Sequence, residues 1–330
     1  MVCWIIISFC RMAQSRPIGG YFELELRKGE HYHKNAIRLN TARNCFEYVL
    51  RTRHIKKVYI PYYTCEVMLE PVVKLGIDYK FYHIDESLEP ATLPDLKANE
   101  AFLYTNYFGL KQSCVIRLKN VYGNRLIVDN AQAFYAKPLP GIDTFYSPRK
   151  FFGVPDGAYL YSDMTLQQEL EQDNSFDRMS HLLKRVDLGA EAGYQDFKKN
   201  DNALVGKGVQ RMSRLTDVLL SGIDYKKAKT TRRENFNALD KVLSKTNRFH
   251  FDLDEDNTPM VYPYFINDKN LKQRLIAKKI FVATYWPNVY EWCKPEDWEF
   301  ILAESVAYIP LDQRYDINDM TYIISVLKEV

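Results

Sequence analysis

The residues best suited to chemistry lie in one stretch, Leu126 to Tyr161, LIVDNAQAFYAKPLPGIDTFYSPRKFFGVPDGAYLY. An apolar run, Leu126-Ile127-Val128, ends abruptly on Asp129. The pattern predicts a buried strand that delivers an acid at its carboxyl end, where open α/β sheets keep their ligand sites. A second run, Thr144-Phe145-Tyr146, leads to Ser147 and then Lys150. Gly153 and Asp156-Gly157 loosen the backbone before Ala158 to Tyr161 starts another strand. A carboxylate and an amine at two strand ends can converge on one ligand. Pyridoxal phosphate (PLP) needs such a pair: a lysine to form an imine and an acid to keep the ring nitrogen protonated. The same residues also have a plain structural use. A lysine after a strand is usually solvated, and a strand-end Asp often caps a helix or forms a turn.

The elements that must position this stretch alternate. Ile37 and Leu39 precede Asn40-Thr41, a helix N-cap, and Cys45, Phe46, Val49 and Leu50 then recur at helical spacing. A helix start of this kind suits a phosphate, although most such starts are simply capped helices. Lys57 to Ile60 and Asp78 to His83 read as strands around a helix from Glu66 to Leu75 that Gly76 ends. Ala101 to Thr105 is the next strand, and Ser113 to Tyr122 crosses over as a helix to the strand that carries Asp129. Strand and helix alternating over residues 37 to 161 predict an α/β fold with a mainly parallel sheet sandwiched by helices.

The segment VDNAQAF followed by DTFYSPRKFFGVPDGAYL resembles the fold-type I PLP enzymes of the DegT family, the sugar aminotransferases. Their pattern is an acid-x-x-His/Gln element, then Ser-x-x-Lys, then a Gly-rich stretch. Asp129, Gln132, Ser147 and Lys150 fall on it in order. The resemblance implies that Lys150 carries PLP and is the catalytic base and acid. It implies that Asp129 pairs with the pyridinium nitrogen, that Gln132 bonds the ring 3-oxygen, and that Ser147 bonds the phosphate. The family's phosphate-holding turn corresponds to Asn40-Thr41-Ala42-Arg43, which lacks the family's glycine; Thr41 and Ala42 are the expected contacts, with Arg43 adding charge. The family's ring-stacking aromatic falls on Cys65, so Tyr63 or Tyr62 is left to stack, or the thiol packs there. Tyr107 lies in a turn similar to one that lines the family's site, and is expected to meet substrate, as is Arg211. An Asn that crosses the family's dimer interface is replaced here by Val209 ahead of Arg211-Met212-Ser213, leaving Lys207 or Arg211 to take its place.

The implied activity is transfer of an amino group from an amino acid donor, glutamate or glutamine, to a nucleotide-linked keto-sugar for surface polysaccharide or glycan biosynthesis. The implied assembly is a homodimer with shared active sites. Relatives with another sugar chemistry, such as dehydration, carry histidine in place of the lysine, so Lys150 counts against that reading. A non-catalytic or repurposed binding protein on the same fold is the other alternative.

The rest of the chain sets bounds. Its 330 residues allow a large domain plus a smaller one. We divide them into an extra apolar segment at 1–15, a large PLP-binding domain at 16–225 and a small C-terminal α+β domain at 226–330. Met1-Val2 offers no charge for a signal peptide, and Val2 to Cys10 is too short to span a bilayer, so Met12 is the expected natural start and no membrane is expected. A net charge of +3 without a sustained basic stripe argues against nucleic acid. Lys226-Lys227-Ala228-Lys229 with Arg232-Arg233 reads as the wet face of a helix. Six scattered cysteines with no CxxC pair read as reduced thiols in a cytoplasm. His31 and His33 lack a third ligand nearby, so no metal is expected. Phe22, Leu24 and Leu26 alternate with charged residues as in a half-exposed strand. Leu166 to Leu170 and Met179 to Val186 read as helical pieces, Leu215 to Leu243 as two helices or one bent one, Phe281 to Tyr285 as a strand, and Asp319 to Val330 as a closing helix.

Overall fold

The structure, a computed structural model, describes residues 18–254 and 257–328. The expectations for residues 1–15 and for Met12 lie outside the described residues. Seven strands form the main sheet: β1 (Ile37–Leu39), β2 (Lys57–Pro61), β3 (Asp78–Tyr82), β4 (Glu100–Thr105), β5 (Leu126–Asn130), β6 (Asp143–Tyr146) and β7 (Ala158–Tyr161). Their order is β1-β7-β6-β5-β4-β2-β3. The strands from β2 to β6 are parallel, and β7 is antiparallel to both β6 and β1.

Because successive side chains on a strand point to opposite faces, the sheet separates two cores. Tyr59, Phe102, Tyr104, Val128 and Tyr146 join one, with Val115 and Leu118 of the Gln112–Tyr122 helix and Phe236 and Leu239 of the Tyr225–Leu243 helix. Val58, Ile60, Leu103, Ile127 and Phe145 join the other, with Cys45, Phe46, Val49 and Leu50 of the Ala42–Thr52 helix. This alternation sets the site. Asp129 stands two residues beyond Ile127, and Thr105 two beyond Leu103, so both face the side of the Ala42–Thr52 helix, and they are register partners across β4 and β5.

The C-terminal region holds a two-stranded antiparallel sheet, β8 (Val261–Phe265) with β9 (Val306–Pro310), and helices at Leu271–Ala277, Val289–Trp292, Trp298–Ser305 and Ile317–Lys328. The division expected at 225/226 falls at the first residue of the Tyr225–Leu243 helix, which packs on the Ile317–Lys328 helix. Among the described residues no helix is long and apolar enough to cross a membrane.

Several expectations change. Phe22, Leu24 and Leu26 lie outside any helix or strand and among the described residues pair with no strand, and Phe22 is 94% exposed. Leu166 to Leu170 is a non-helical strap; the Leu166 N–H donates to the Tyr48 hydroxyl (2.8 Å), and both leucines pack against the core beside the Ala42–Thr52 helix. Phe281 to Tyr285 makes only a single bridge, Ala283 to Tyr308. In the basic run, Lys226 and Lys227 are exposed, but Arg232 is 1% exposed. It sits in line with the buried Ala228 and Phe236, one helical turn to either side.

Candidate active site

The site is built at the carboxyl edge of the parallel strands, from the turns that leave β2, β4, β5 and β6. Asp129 ends the apolar run of β5 and is 5% exposed. The Ala131 N–H donates to its Oδ1 at 2.8 Å. Burial pushes its carboxyl up to about 6, opposed by the positive charge of Lys150 and by the Ala131 N–H. The carboxylate also helps burial to raise the Cys45 thiol.

β6 delivers Ser147, 8% exposed, and the chain then tightens into a 3-10 turn, Pro148–Lys150. The Ser147 hydroxyl makes no capping bond to this turn. The Lys150 side chain is exposed at the mouth of the site. Its charge draws down both the Asp129 carboxyl and the Cys65 thiol, so the three groups share one electrostatic neighbourhood; for Cys65, burial still wins and the thiol is raised.

Two clamps hold the Lys150 turn. The Phe151 carbonyl accepts from Gln313 Nε2 (2.8 Å) and from Arg232 Nη2 (3.4 Å). The Arg232 guanidinium lies 4.5 Å over the Phe151 ring and donates to the Met260 carbonyl (3.0 Å) and Gln313 (2.9 Å). Burial lowers it to about 10, so it is charged at neutral pH. On the other side, Asp156, 0% exposed, accepts from the Ser213 N–H (2.9 Å) and hydroxyl (2.7 Å) and from the Thr216 hydroxyl. Gly157, at φ +105°, is required next to it: a Cβ there would stand 2.9 Å from the Thr216 methyl.

Thr41 is the N-cap of the Ala42–Thr52 helix, with its hydroxyl accepting from the Asn44 N–H at 3.2 Å. Its own N–H is taken by Asn40 Oδ1 (3.1 Å). Among the described residues no acceptor meets the Ala42 and Arg43 N–H groups, so the helix start keeps two free donors. The Arg43 side chain pairs with Glu70.

Gln132 lies in the turn after β5, 1% exposed. Its Oε1 accepts from the Phe108 N–H (3.2 Å), a residue held at φ +57°, while its Nε2 is buried with no partner. A bulky side chain in the left-handed region carries strain that its surroundings must maintain. Two more buried polar atoms lack partners at the same strand ends: Thr105 Oγ1, beside Asp129, and Asn130 Oδ1. Buried polar atoms are rarely left unpaired, and Thr105 Oγ1 and Gln132 Nε2 near Asp129 mark a place where a polar ligand belongs; Asn130, the next residue along β5, points to the opposite face.

Four residues expected to meet ligand are engaged elsewhere. Tyr63 is fully buried; its hydroxyl bonds that of Tyr308, and its ring is boxed edge-on by Trp286 at 4.5 Å, so it has no surface for a cofactor ring. Tyr62 instead stacks on Phe81 at 4.6 Å. Tyr107 is fully buried as well and donates to the Tyr63 carbonyl (3.0 Å), which leaves it no face for substrate. Lys207 is paired with Asp173 (2.7 Å). Cys65, the residue that the resemblance sets at the ring-stacking position, is half-buried and feels the charge of Lys150. Arg211 is tied by its backbone to Glu171 and Asp173, bridges to Leu39 of β1, and exposes its side chain.

His31 and His33, at the start of the described domain, are buried anchors. His33 Nε2 meets the Phe134 carbonyl at 2.8 Å and its ring packs 4.1 Å from that of Tyr146; His31 Nδ1 meets the Tyr159 hydroxyl at 2.6 Å.

No protein-family profile and no curated protein matches the chain. Solved structures do. The chain is similar to the S. venezuelae DesV protein in complex with a ketimine intermediate, with TM-score 0.63, 15% identity, and coverage of 89% of this chain and 84% of that one. It is similar to a DegT DnrJ EryC1 StrS aminotransferase from Brucella abortus, with TM-score 0.58, 15% identity, and coverage of 89% and 85%. It is similar to the PLP-form of Spr1654, a putative sugar aminotransferase from Streptococcus pneumoniae, with TM-score 0.59, 14% identity, and coverage of 89% and 86%. The fold is that of the sugar aminotransferases. In this aminotransferase fold the chain keeps a mostly parallel sheet between helices with a smaller α+β region behind it, as the alternation of strands and helices predicts.

Proposed function

We propose that the chain is a PLP-dependent aminotransferase that moves an amino group from an amino acid, glutamate or glutamine, to a nucleotide-linked keto-sugar. The observation that carries this reading is the buried Asp129 carboxylate facing the charge of Lys150, with the unpaired Gln132 Nε2 close by in sequence and fold. A carboxyl buried this deeply without a bonded cation is costly, and a pyridinium N–H would supply the missing partner.

The residues fit the cofactor. Asp129 would hold the ring nitrogen protonated, Gln132 Nε2 would donate to the ring oxygen, and Ser147 with the free N–H groups at Ala42 and Arg43 would hold the phosphate. When bound, PLP supplies an electron sink for a carbanion at the substrate carbon. The chain's own part is to orient and to move protons. Lys150 Nζ would be the amine that holds the cofactor and, when free, would take and return a proton as base and acid. Arg232 and Gln313 fix the backbone beside it through the Phe151 carbonyl, so the amine swings from a rigid base. The exposure of Lys150 and Arg211 suits a site completed by a second subunit, a homodimer with shared active sites. The scattered thiols, free where described, suit a cytoplasmic setting.

A second reading, a non-catalytic binding protein on this fold, is favoured by Cys65 at the stacking position and by the sealed Tyr63 and Tyr107. A spectral half-reaction separates the two. Protein loaded with PLP and mixed with glutamate or glutamine shifts its visible absorption band if it is a transaminase. A bound cofactor whose spectrum no amino donor changes supports the second reading.

A further inference from the structure

Two segments have the alternation of strands and lack a strand's partner. Phe22, Leu24 and Leu26 alternate with Glu23, Glu25 and Arg27, and among the described residues the backbone of 18–26 makes no hydrogen bond. Tyr21 and Phe22 are almost fully exposed. The root of this segment is fixed: a Cβ on Gly29 would stand 2.6 Å from the Ser221 carbonyl oxygen, and one on Gly222 2.6 Å from that of Arg27, so the two backbones touch there. The second segment, Phe281 to Tyr285, meets β9 at Ala283 alone, which leaves a strand edge without its ladder. Four of its residues, Phe281 to Thr284, line a cavity of about 880 Å³ to which neither Asp129 nor Lys150 contributes.

The cavity and its rim are apolar and carry a positive charge to spare. Tyr194, Phe281 and Tyr322 line it, each about half-exposed, and among the described residues none of these rings meets another ring. Val186 and Leu188, between the lining residues Arg185 and Ala190, are 85% and 68% exposed. An exposed apolar surface of this extent marks a docking site for protein rather than for a small polar ligand. Arg185 has no ion pair among the described residues, and Lys279 reaches Glu191 only at 3.8 Å; Arg314 is spent on Asp312 (2.6 Å). Asp319, the other acid on the lining, accepts from the Asp316 N–H (2.9 Å). Glu23 and Glu25 are exposed and, among the described residues, unpaired. The free carboxylates of the first segment therefore match the free cations of the cavity, and such matching sets register between partners. The chain leaves its own segment outside its own open cavity, which points to another copy as the occupant.

We propose that residues 18–26 of a second copy of this chain dock in the cavity, adding a strand beside Phe281–Thr284 with Phe22 and Leu24 on the apolar wall and Glu23 and Glu25 toward Arg185 and Lys279. Exchange in both directions closes a two-fold dimer. The proposal rests on the homodimer of the reading above and not on its chemistry. The test replaces Phe22 of the full chain by the photo-cross-linker benzoylphenylalanine, irradiates the protein and maps the product by mass spectrometry. A covalent dimer is expected, joined from position 22 to a peptide containing Phe281 or Tyr322. Glu23→Arg with Glu25→Arg should cut its yield at least fivefold, and so should Arg185→Glu with Lys279→Glu. All four changes together should restore at least half of the original yield. The four positions are exposed, so the melting temperature should stay at the wild-type value. Cross-linking only within one chain, a covalent dimer joined elsewhere, no cross-link, or a charge-reversed set that does not recover would each overturn the proposal. Sedimentation of wild type separates the two failures: a dimer joined elsewhere removes this docking and leaves the homodimer, and a monomer removes both.

Discussion

Asp129→Asn tests the electrostatics of the site in the protein without PLP. In the folded chain burial holds the Asp129 carboxyl at about 6, against an ordinary value of 3.8. The folded state therefore binds this proton more tightly than the unfolded chain, and stability falls as pH rises from about 4 through 6. A shift of roughly 2 units corresponds to about 3 kcal/mol by the usual conversion. Asp129 is 5% exposed, so solvent screening does not reduce this much. Asn keeps the shape of the protonated acid and an oxygen to accept from the Ala131 N–H, but carries no charge. The cofactor-free variant should be more stable than wild type by about 2–3 kcal/mol at pH 7.5, and the difference should shrink toward zero at pH 4. Urea denaturation of the two proteins at both pH values reads this directly. The variant should also lose affinity for PLP, because an amide cannot hold the ring nitrogen protonated. A difference that is equal at both pH values, or that favours wild type at pH 7.5, would refute the argument that Asp129 is a buried anion awaiting a cation.

Other perturbations probe the frame. Burial lowers His33 to about 4, so the folded state binds its proton less readily than the unfolded chain; this stability is present above about 6.5 and is lost as pH falls to 4, up to about 3 kcal/mol. Denaturation of wild type against His33→Gln across that window should show the difference, and a flat comparison would contradict it. Because Thr105 Oγ1 has no partner, Thr105→Val should leave stability unchanged or raise it by about 1 kcal/mol; a loss above about 2 kcal/mol on thermal melting would mean the hydroxyl is bonded. Arg232→Met strips the Met260 carbonyl of its donor and the Phe151 carbonyl of one of two, and should cost about 2–3 kcal/mol in urea denaturation; a variant as stable as wild type would deny the clamp on the Lys150 turn.

The parts of the fold legible in the sequence are those where one physical rule acts alone. β5 and β6 are apolar runs ended by Asp129 and Ser147, and the Ala42–Thr52 helix announces itself through Thr41 and the spacing of Cys45, Phe46, Val49 and Leu50. Pattern fails where a partner decides the outcome. Phe22 to Leu26 alternates like a strand but finds no neighbour to pair with among the described residues, and Phe281 to Tyr285 meets β9 at a single residue. Leu166 to Leu170 has apolar residues one helical turn apart, yet the Tyr48 hydroxyl captures the Leu166 N–H and the strap lies flat. Arg232 was readable in principle. It shares a stripe with Ala228, Phe236, Leu239 and Leu243, and that stripe outweighs the surrounding run of lysines. The readings of Tyr63 as a cofactor contact and Tyr107 as a substrate contact had no local signal against them, since their burial depends on Trp286 and Tyr308, remote in the chain. Thr105 was likewise invisible, because only the register of β4 on β5 sets it beside Asp129.

The central claim is that Lys150 is the amine that carries PLP. Protein incubated with PLP, reduced with borohydride, digested and mapped by mass spectrometry tests it. The account predicts a phosphopyridoxyl group on Lys150 near one per chain in wild type and in Cys65→Ala, and none at that position in Lys150→Ala. Label spread over the exposed lysines, such as Lys226 and Lys227, with Lys150 unmodified would contradict it.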